Sequence, residues 1–262
     1  MTARDQAARP NPREIRVVPD AESLARAAAD LFVEATTEAV ANRGHAYVAL
    51  SGGTTPRQMG QFLREPEHRD RVPWDRLDLF WGDERWVPQS SPESNAGVAR
   101  RTFLDKVPIP VDAIHPFPTE IDDPAGAARE YEQTIREVIG GQGVPRFDLV
   151  LLGMGDDGHT ASLFPGTAAL AEREALAVAN HVPKLDAWRL TLTVPAINAA
   201  RTVAFLISGS GKAATLAAVL EGDRQPDQLP SQLIQPADGP LLWLIDQDAA
   251  ADLRDAADSS HG

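Results

Sequence analysis

The sequence predicts an α/β protein with a doubly wound, mostly parallel sheet flanked by helices. Apolar segments of strand length alternate with amphipathic segments of helix length, which is typical of βαβ units. The segments Leu149–Leu152 and Val203–Ile207 are apolar without alternation, as expected of strands buried on both faces. The chain has 262 residues, 43% of them hydrophobic and 24% charged, which suits one large globular domain.

Seven strands are predicted from the apolar segments. They cover Glu14–Val18, Ala46–Leu50, Leu77–Trp81, Phe147–Leu152, Arg189–Val194, Thr202–Ile207 and Leu241–Ile245. A single domain is therefore expected over residues 14–246. The flanking residues 1–13 and 247–262 are polar or rich in Ala and Asp, and we expect them to be mobile tails.

Four helices are predicted between these strands from capping residues and from glycines that end them. They are expected over Asp20–Arg43, from Thr55-Pro56 onward, from Asp122-Asp123-Pro124 to Ile139, and from Gly211-Lys212 to about Gly222. The stretch from Glu84 to Asn95 is predicted to be a long loop, and loops of this length in a compact domain are often functional.

The composition excludes several classes of function. The chain has no Cys, which excludes disulfides, thiolate metal sites and a Cys nucleophile, and agrees with a cytoplasmic location. Its 25 basic against 38 acidic side chains give a net charge of −13, which disfavours binding to nucleic acid. A polar N-terminus and the lack of an apolar run of about 18 residues predict neither a signal peptide nor a membrane span.

A candidate phosphate site follows the second predicted strand. Ser51, Gly52, Gly53 and Thr54 lie where this strand ends and a helix begins. Backbone N–H groups of a Gly-rich turn, together with hydroxyls and the positive end of a helix dipole, bind anions. The Gly-Lys-Ser/Thr ending of a P-loop is missing, and a tight capped turn without a ligand would show the same pattern.

A candidate base follows the fourth predicted strand. Gly153, Gly155 and Gly158 match the dinucleotide fingerprint, but acidic residues face the expected pyrophosphate and Pro165 would disrupt the expected helix, so we reject that interpretation. His159 is a better candidate for chemistry, because imidazole exchanges a proton near neutral pH. Asp157 could orient its ring, although a solvated loop histidine fits too. A metal site is not expected, because the ligand motifs are missing.

Three basic residues are candidates for holding an anion. Arg85 follows the third strand and could grip a phosphate, or be neutralised by its acidic neighbours. Lys212 begins a helix and could reach an anion or be solvated, and Arg189 lies on a strand. Ligands of doubly wound sheets bind at the carboxyl ends of the strands. We therefore expect four groups to converge on one cleft: the glycine loop Ser51–Thr54, Arg85, His159 and Lys212.

The sequence resembles the 6-phosphogluconolactonase family from about Glu14 to Asp246. The resemblance rests on five segments: Ser51-Gly52-Gly53-Thr54-Thr55-Pro56, Trp81-Gly82-Asp83-Glu84-Arg85, Ser94-Asn95, Gly153-Met154-Gly155-Asp156-Asp157-Gly158-His159-Thr160-Ala161-Ser162-Leu163-Phe164-Pro165 and Gly209-Ser210-Gly211-Lys212. It implies the fold shared with glucosamine-6-phosphate deaminase and ribose-5-phosphate isomerase, and a reaction without cofactor or essential metal.

The activity implied by the resemblance is hydrolysis of 6-phospho-D-glucono-1,5-lactone to 6-phosphogluconate in the oxidative pentose phosphate pathway. His159 would activate water and Asp157 would orient it. Arg85, Lys212 and Arg189 would hold the 6-phosphate, and amides around Gly53 or Gly155 would stabilise the oxyanion.

Two alternatives are compatible with the same fold. A glucosamine-6-phosphate deaminase shares the Asp-Gly-His loop, but Ser162-Leu163-Phe164-Pro165 follows the histidine here, as in the lactonases. A non-catalytic sugar-phosphate sensor would carry a helix-turn-helix, for which the residues before Glu14 leave no room.

Overall fold

The computed structural model describes residues 13–254. Its centre is a sheet of six parallel strands in the order β1-β9-β8-β5-β2-β3. A smaller antiparallel sheet has the order β4-β7-β6. The strands are β1 Arg13–Val18, β2 Ala46–Leu50, β3 Leu77–Trp81, β4 Asp83–Arg85, β5 Leu149–Leu152, β6 Ala177–Val182, β7 Ala187–Leu192, β8 Val203–Ile207 and β9 Leu241–Asp246.

Helices cover the sheet. They are α1 Ala21–Arg43, α2 Thr54–Leu63, α3 Pro66–Arg69, α4 Asn95–Thr102, α5 Pro124–Ile139, α6 Val194–Asn198 and α7 Ala213–Glu221. The side chain of Asp20 caps the first turn of α1, and Gly44, with φ +80°, ends that helix. Helix α1 packs on α2, β2 and β9, whereas α5 packs on the antiparallel sheet.

The predicted α/β class and mostly parallel sheet are confirmed. Strands β2 and β3 have the predicted bounds, and β5 and β8 are buried throughout, as their uninterrupted apolar sequences indicate. The sequence did not indicate β4, β6 or α4, and β7 begins and ends two residues before the predicted strand. The side chain of Thr193, predicted to lie in that strand, instead caps α6.

The ends of the domain differ from the prediction. Residues 247–254 were expected to be a mobile tail, but Ala249, Ala250 and Leu253 are buried in the same apolar cluster as the rest of the core. Packing thus continues past Asp246, because the turn after β9 folds back on the sheet. The remainder of the predicted tails, 1–12 and 255–262, lies outside the described residues. Within residues 13–254, no helix is long and apolar enough to cross a membrane.

The strand order locates a crevice in the parallel sheet. From β2 the chain adds β3 on one side, and it then returns to add β5, β8 and β9 on the other. The carboxyl ends of β2 and β5 therefore flank the point where the winding direction reverses. This is where doubly wound folds bind their ligands.

Candidate active site

His159 and Asp157 form a close pair in the loop after β5. The Nδ1 atom of His159 lies 2.5 Å from Oδ1 of Asp157, and both side chains are about a quarter exposed. The imidazole stacks on the ring of Phe164 with 3.9 Å between the centroids. Within the described chain, Nε2 of His159 has no protein partner. The ring is thus held on one side while its second nitrogen stays available.

The Asp157 carboxylate binds a second cation. Nζ of Lys184 lies 3.0 Å from its Oδ2 atom. Partial burial raises the pKa of Asp157, but hydrogen bonds from His159 and Lys184 outweigh it and lower the pKa to about 2. Asp157 is therefore ionised at neutral pH and can stabilise one tautomer of His159.

Two glycines let the loop take this shape. A Cβ on Gly155 would lie 2.0 Å from Nδ1 of His159, so a side chain there would displace the imidazole. Gly158 has φ +76°, in the left-handed region. Its carbonyl accepts hydrogen bonds from the N–H and the hydroxyl of the buried Ser231, both at 2.9 Å. No α-helix follows β5 in the described stretch before β6, in agreement with the rejection of a dinucleotide fingerprint.

Two arginines face the same cleft without a direct ion pair in the described chain, although Asp83, Glu84 and Glu93 act on Arg189 from a distance. Arg85 on β4 and Arg189 on β7 are directly opposite each other in the antiparallel sheet. Nη1 of Arg85 donates to the Glu93 carbonyl and Nη1 of Arg189 to the Trp188 carbonyl. Neither guanidinium has a carboxylate within 4.0 Å in the described residues. Burial and the charge of Arg85 lower the pKa of Arg189, so an anion here would relieve an electrostatic cost.

The acidic neighbours of Arg85 have other functions. Glu84 is buried and accepts hydrogen bonds from the N–H groups of Arg85, Asn95 and Ala96 and from the Ser94 hydroxyl. Burial raises its pKa despite these bonds. Asp83 accepts from the hydroxyl of Ser162 at 2.7 Å. The structural ion pair weighed as an alternative for Arg85 is therefore not formed.

The His159 cleft encloses about 310 Å³. Its lining joins the loop after β5 to both ends of the antiparallel sheet and consists of Asp83, Arg85, Asp156, Asp157, His159, Ala161, Ser162, Phe164, Lys184, Leu185 and Arg189. Among residues 13–254, no group of three His, Asp or Glu side chains is arranged to hold a metal ion.

The glycine loop lines a neighbouring cleft of about 200 Å³. Ser51, Gly52, Gly53 and Thr54 all contribute to it, and Arg85 borders both clefts. The Ser51 hydroxyl is buried without a hydrogen-bond partner. Gly53 precedes the first turn of α2, and its N–H has no acceptor in the described chain. These donors lie next to the His159 cleft, and groups of this kind at a helix N-terminus are suited to an anion.

Lys212 lies apart from the other candidates. It lines neither cleft, and its ammonium pairs with Asp156. Asp156 borders the His159 cleft, so Lys212 is one residue removed from it. Of the residues expected to converge, Arg85 and His159 line one cleft, the glycine loop lies beside it and Lys212 lies outside it. Asp157 and Arg189 line the same cleft as His159.

Four lining residues escaped sequence reasoning as individual candidates. Lys184 and Arg57 had no motif around them, Ser162 was noted only as part of the resemblance, and Asp83 was considered otherwise only as a residue that could neutralise Arg85. The scarcity of lysine was an available signal, because Lys106, Lys184 and Lys212 are the lysines of the chain.

Comparison with known proteins identifies the family of this chain. Residues 19–243 match the model of the family described as glucosamine-6-phosphate isomerases/6-phosphogluconolactonase. The chain is 45% identical to a 6-phosphogluconolactonase of Synechocystis sp., over 83% of this chain and 89% of that protein.

Solved structures show the same fold. A 6-phosphogluconolactonase from Trypanosoma cruzi superposes with a TM-score of 0.81 at 28% identity, covering 95% of this chain and all of that one. A monomeric glucosamine-6-phosphate deaminase matches with a TM-score of 0.76 at 22% identity, over 91% of this chain and 99% of that one, which shows the shared fold. By its sequence, its fold and its family match, the chain belongs to the glucosamine-6-phosphate isomerase/6-phosphogluconolactonase family.

Proposed function

We propose that this protein hydrolyses 6-phospho-D-glucono-1,5-lactone to 6-phosphogluconate, with His159 as the general base. The observation that carries the proposal is the juxtaposition of an oriented imidazole with two arginines that have no carboxylate within 4.0 Å in the described residues. The His159–Asp157 pair faces the cleft also bordered by Arg85 and Arg189. A base and an anion site in one cleft match a phosphorylated substrate with a hydrolysable ester.

The reaction begins with deprotonation of water. Nε2 of His159 takes a proton from a water molecule while the water oxygen attacks the lactone carbonyl carbon. Asp157 accepts the Nδ1 hydrogen bond, which keeps Nε2 free to receive the proton and stabilises the imidazolium that forms. The product of this step is a tetrahedral oxyanion.

Collapse of the oxyanion opens the ring. The carbonyl re-forms, the bond to the ring oxygen breaks, and the imidazolium returns its proton to the leaving oxygen. Of the amides considered for the oxyanion, the N–H of Gly155 already donates to the His159 carbonyl at 2.8 Å. The N–H of Gly53 has no such acceptor, so we assign oxyanion or phosphate binding to the loop around Gly53.

Phosphate binding positions the carbonyl for attack. Arg85 and Arg189 supply planar donors that suit a phosphate, and Ser51, Gly52, Gly53 and Thr54 extend the site into the neighbouring cleft. We propose that Lys212 also contacts the phosphate, by exchanging Asp156, a highly exposed partner, for the ligand. Such contacts lower the barrier through orientation.

The composition supports a cytoplasmic location and a small-molecule substrate. A chain with no Cys and a net charge of −13 is suited to the cytoplasm and to a small sugar-phosphate lactone rather than to nucleic acid.

The test is hydrolysis of the lactone generated in situ, followed above the spontaneous background. We expect the wild-type protein to accelerate it and His159→Ala to abolish the acceleration while folding normally by circular dichroism. If neither protein accelerates hydrolysis, the lactonase assignment fails, and turnover of glucosamine 6-phosphate or binding of sugar phosphates then separates the deaminase from the sensor. Acceleration by His159→Ala would remove His159 as the base.

A further inference from the structure

The carboxylate of Asp157 is shared between His159 and Lys184, which lie on different loops. His159 occupies Oδ1 and Lys184 occupies Oδ2. We propose that Lys184 is a positioning residue that competes with His159 for the Asp157 carboxylate and so limits how strongly Asp157 stabilises the imidazolium that forms when His159 takes a proton from water. This inference rests on the proposed function, because it concerns the base of that reaction.

Lys184 reaches Asp157 from the antiparallel sheet. It lies in the turn Pro183–Leu185 between β6 and β7, which is closed by a hydrogen bond of 3.1 Å from the N–H of Asp186 to the Pro183 carbonyl. Asp186 itself has φ +44°, a left-handed conformation that β-branched and bulky residues avoid. The turn thus has a defined shape and presents the ammonium to the His159 loop.

Lys184 changes the effect that the Asp157 carboxylate has on the His159 ring. A carboxylate alone next to an imidazole favours the protonated ring, because opposite charges attract. Lys184 opposes this in two ways: it neutralises part of the Asp157 charge, and its own charge repels an imidazolium. Both effects favour the neutral ring, which is the form that can accept a proton from water.

Other charges face the same cleft and act on the ring as well. They are Asp83, Arg85, Asp156 and Arg189, and Asp156 is paired with Lys212. Lys184 differs from these groups because it binds the same carboxylate as His159, that of Asp157, through the other oxygen. Its side chain is 71% exposed, so its influence should be moderate and should weaken with salt.

The experiment compares Lys184→Met, which removes the charge, with Lys184→Arg, which keeps it. For Lys184→Met at low salt we expect the acidic limb of the pH profile of kcat/KM to move upward by about 0.5 to 1 pH unit. Lys184→Arg should restore the wild-type limb. Lys106→Met is the matched control, because the Lys106 ammonium bonds the carbonyls of Arg101 and Thr102 at the end of α4. Its limb should coincide with that of the wild type.

Titration of the His159 ring by NMR provides a readout independent of turnover. Its resonance is assigned by its loss in His159→Asn, and its midpoint should move upward in Lys184→Met by the same amount. Unchanged limbs and midpoints would overturn the proposal, and so would a change confined to KM, which would make Lys184 a phosphate ligand. If the wild type fails to hydrolyse the lactone, the function fails, whereas the NMR midpoints still test Lys184.

Discussion

Arginine side chains near the amino edge of the parallel sheet are paired with a carboxylate, whereas two arginines beyond its carboxyl edge are not. At the amino edge, Asp148 is buried and accepts hydrogen bonds from Nε of Arg43 at 3.0 Å and from the N–H of Tyr47 at 2.9 Å, and it forms an ion pair with Arg201 at 3.3 Å. Beyond the carboxyl edge, in the antiparallel sheet, Arg85 and Arg189 have no carboxylate within 4.0 Å in the described chain. The arginines are therefore paired where the parallel strands begin and unpaired beyond the point where they end, although Lys184 and Lys212 each pair with an aspartate there.

Histidine–aspartate pairs show the same contrast. Asp78 at the amino edge binds Nε2 of both His45 and His115 at 2.6 Å, so both of its oxygens serve to join the start of β3 to neighbouring segments. At the carboxyl edge, His159 uses Nδ1 for Asp157 and leaves Nε2 open to the cleft. A close His–Asp pair is therefore no evidence of catalysis by itself, and the free nitrogen with unpaired arginines nearby distinguishes the two edges.

The largest expected effect comes from removing the free imidazole. His159→Asn should lower kcat by about 10³-fold or more, because the general base is lost. His115→Asn should leave kcat within about twofold and lower the free energy of unfolding by about 1 kcal/mol, since Asp78 loses one hydrogen bond. Lactone hydrolysis and urea unfolding of both variants measure this. A comparable loss of kcat in His115→Asn would erase the distinction between the edges.

Changing the aspartates should separate activity from stability. Asp157→Asn should lower kcat by about 10²-fold because the imidazolium loses its partner. Asp148→Asn should lower the free energy of unfolding by about 2–4 kcal/mol, because two arginines lose a buried partner, and leave kcat of the folded enzyme unchanged. The pair is measured by turnover and by denaturant unfolding at one temperature, and interchanged effects would contradict the comparison.

Arginine variants should change stability in opposite directions. Arg189→Gln should raise KM by about tenfold and slightly stabilise the free protein, because it removes one of two facing cations. Arg201→Gln should leave KM unchanged and destabilise the protein by less than about 1 kcal/mol, since Arg43 still holds Asp148. Thermal unfolding without ligand shows whether each variant is stabilised or destabilised. A destabilised Arg189→Gln would mean that the charge of Arg189 is already balanced in the free protein.

The smallest effect concerns acid stability. Because the pKa of Asp157 is lowered from 3.8 to about 2, the folded state binds fewer protons than the unfolded state in this range. Its contribution is present above pH 3.8 and is lost as the pH falls toward 2. Over this pH range the free energy of unfolding should therefore fall by about 1 kcal/mol less in Asp157→Asn than in the wild type. This figure is reduced for the contact of the Asp157 side chain with water. A slope equal to that of the wild type would contradict the assignment.

The parts of the fold that sequence reasoning predicted are those encoded locally. The apolar runs of β2 and β3 and the caps of α1 identify these elements without reference to the rest of the chain. Strands β4 and β6 could not be found this way. The sequence Asp-Glu-Arg of β4 has no apolar pattern, and β6 contains Ala, Asn and His, which favour strands weakly until β7 pairs with them.

The contacts of the site also divide into those that local sequence predicts and those that depend on the fold. The His159–Asp157 pair is two residues apart in the chain, so its spacing predicts the contact. Two other contacts depend on strand pairing that the sequence does not reveal: Arg85 opposite Arg189, and Lys184 against Asp157. Lys212 looked like a phosphate ligand from its position before a helix, yet the choice between an anion and Asp156 is decided by distances in space.

The pairing of the first strand with the last governs how the chain folds. Strand β1 contacts the parallel sheet through β9, with Arg13 facing Leu241, and most of its side chains are exposed. Its hydrogen-bonding partner, Leu241–Asp246, is synthesised long after β1 itself, and the long loop between them closes slowly. We therefore expect β1 to dock last during folding and, with little apolar burial to hold it, to show the earliest hydrogen exchange of the six parallel strands.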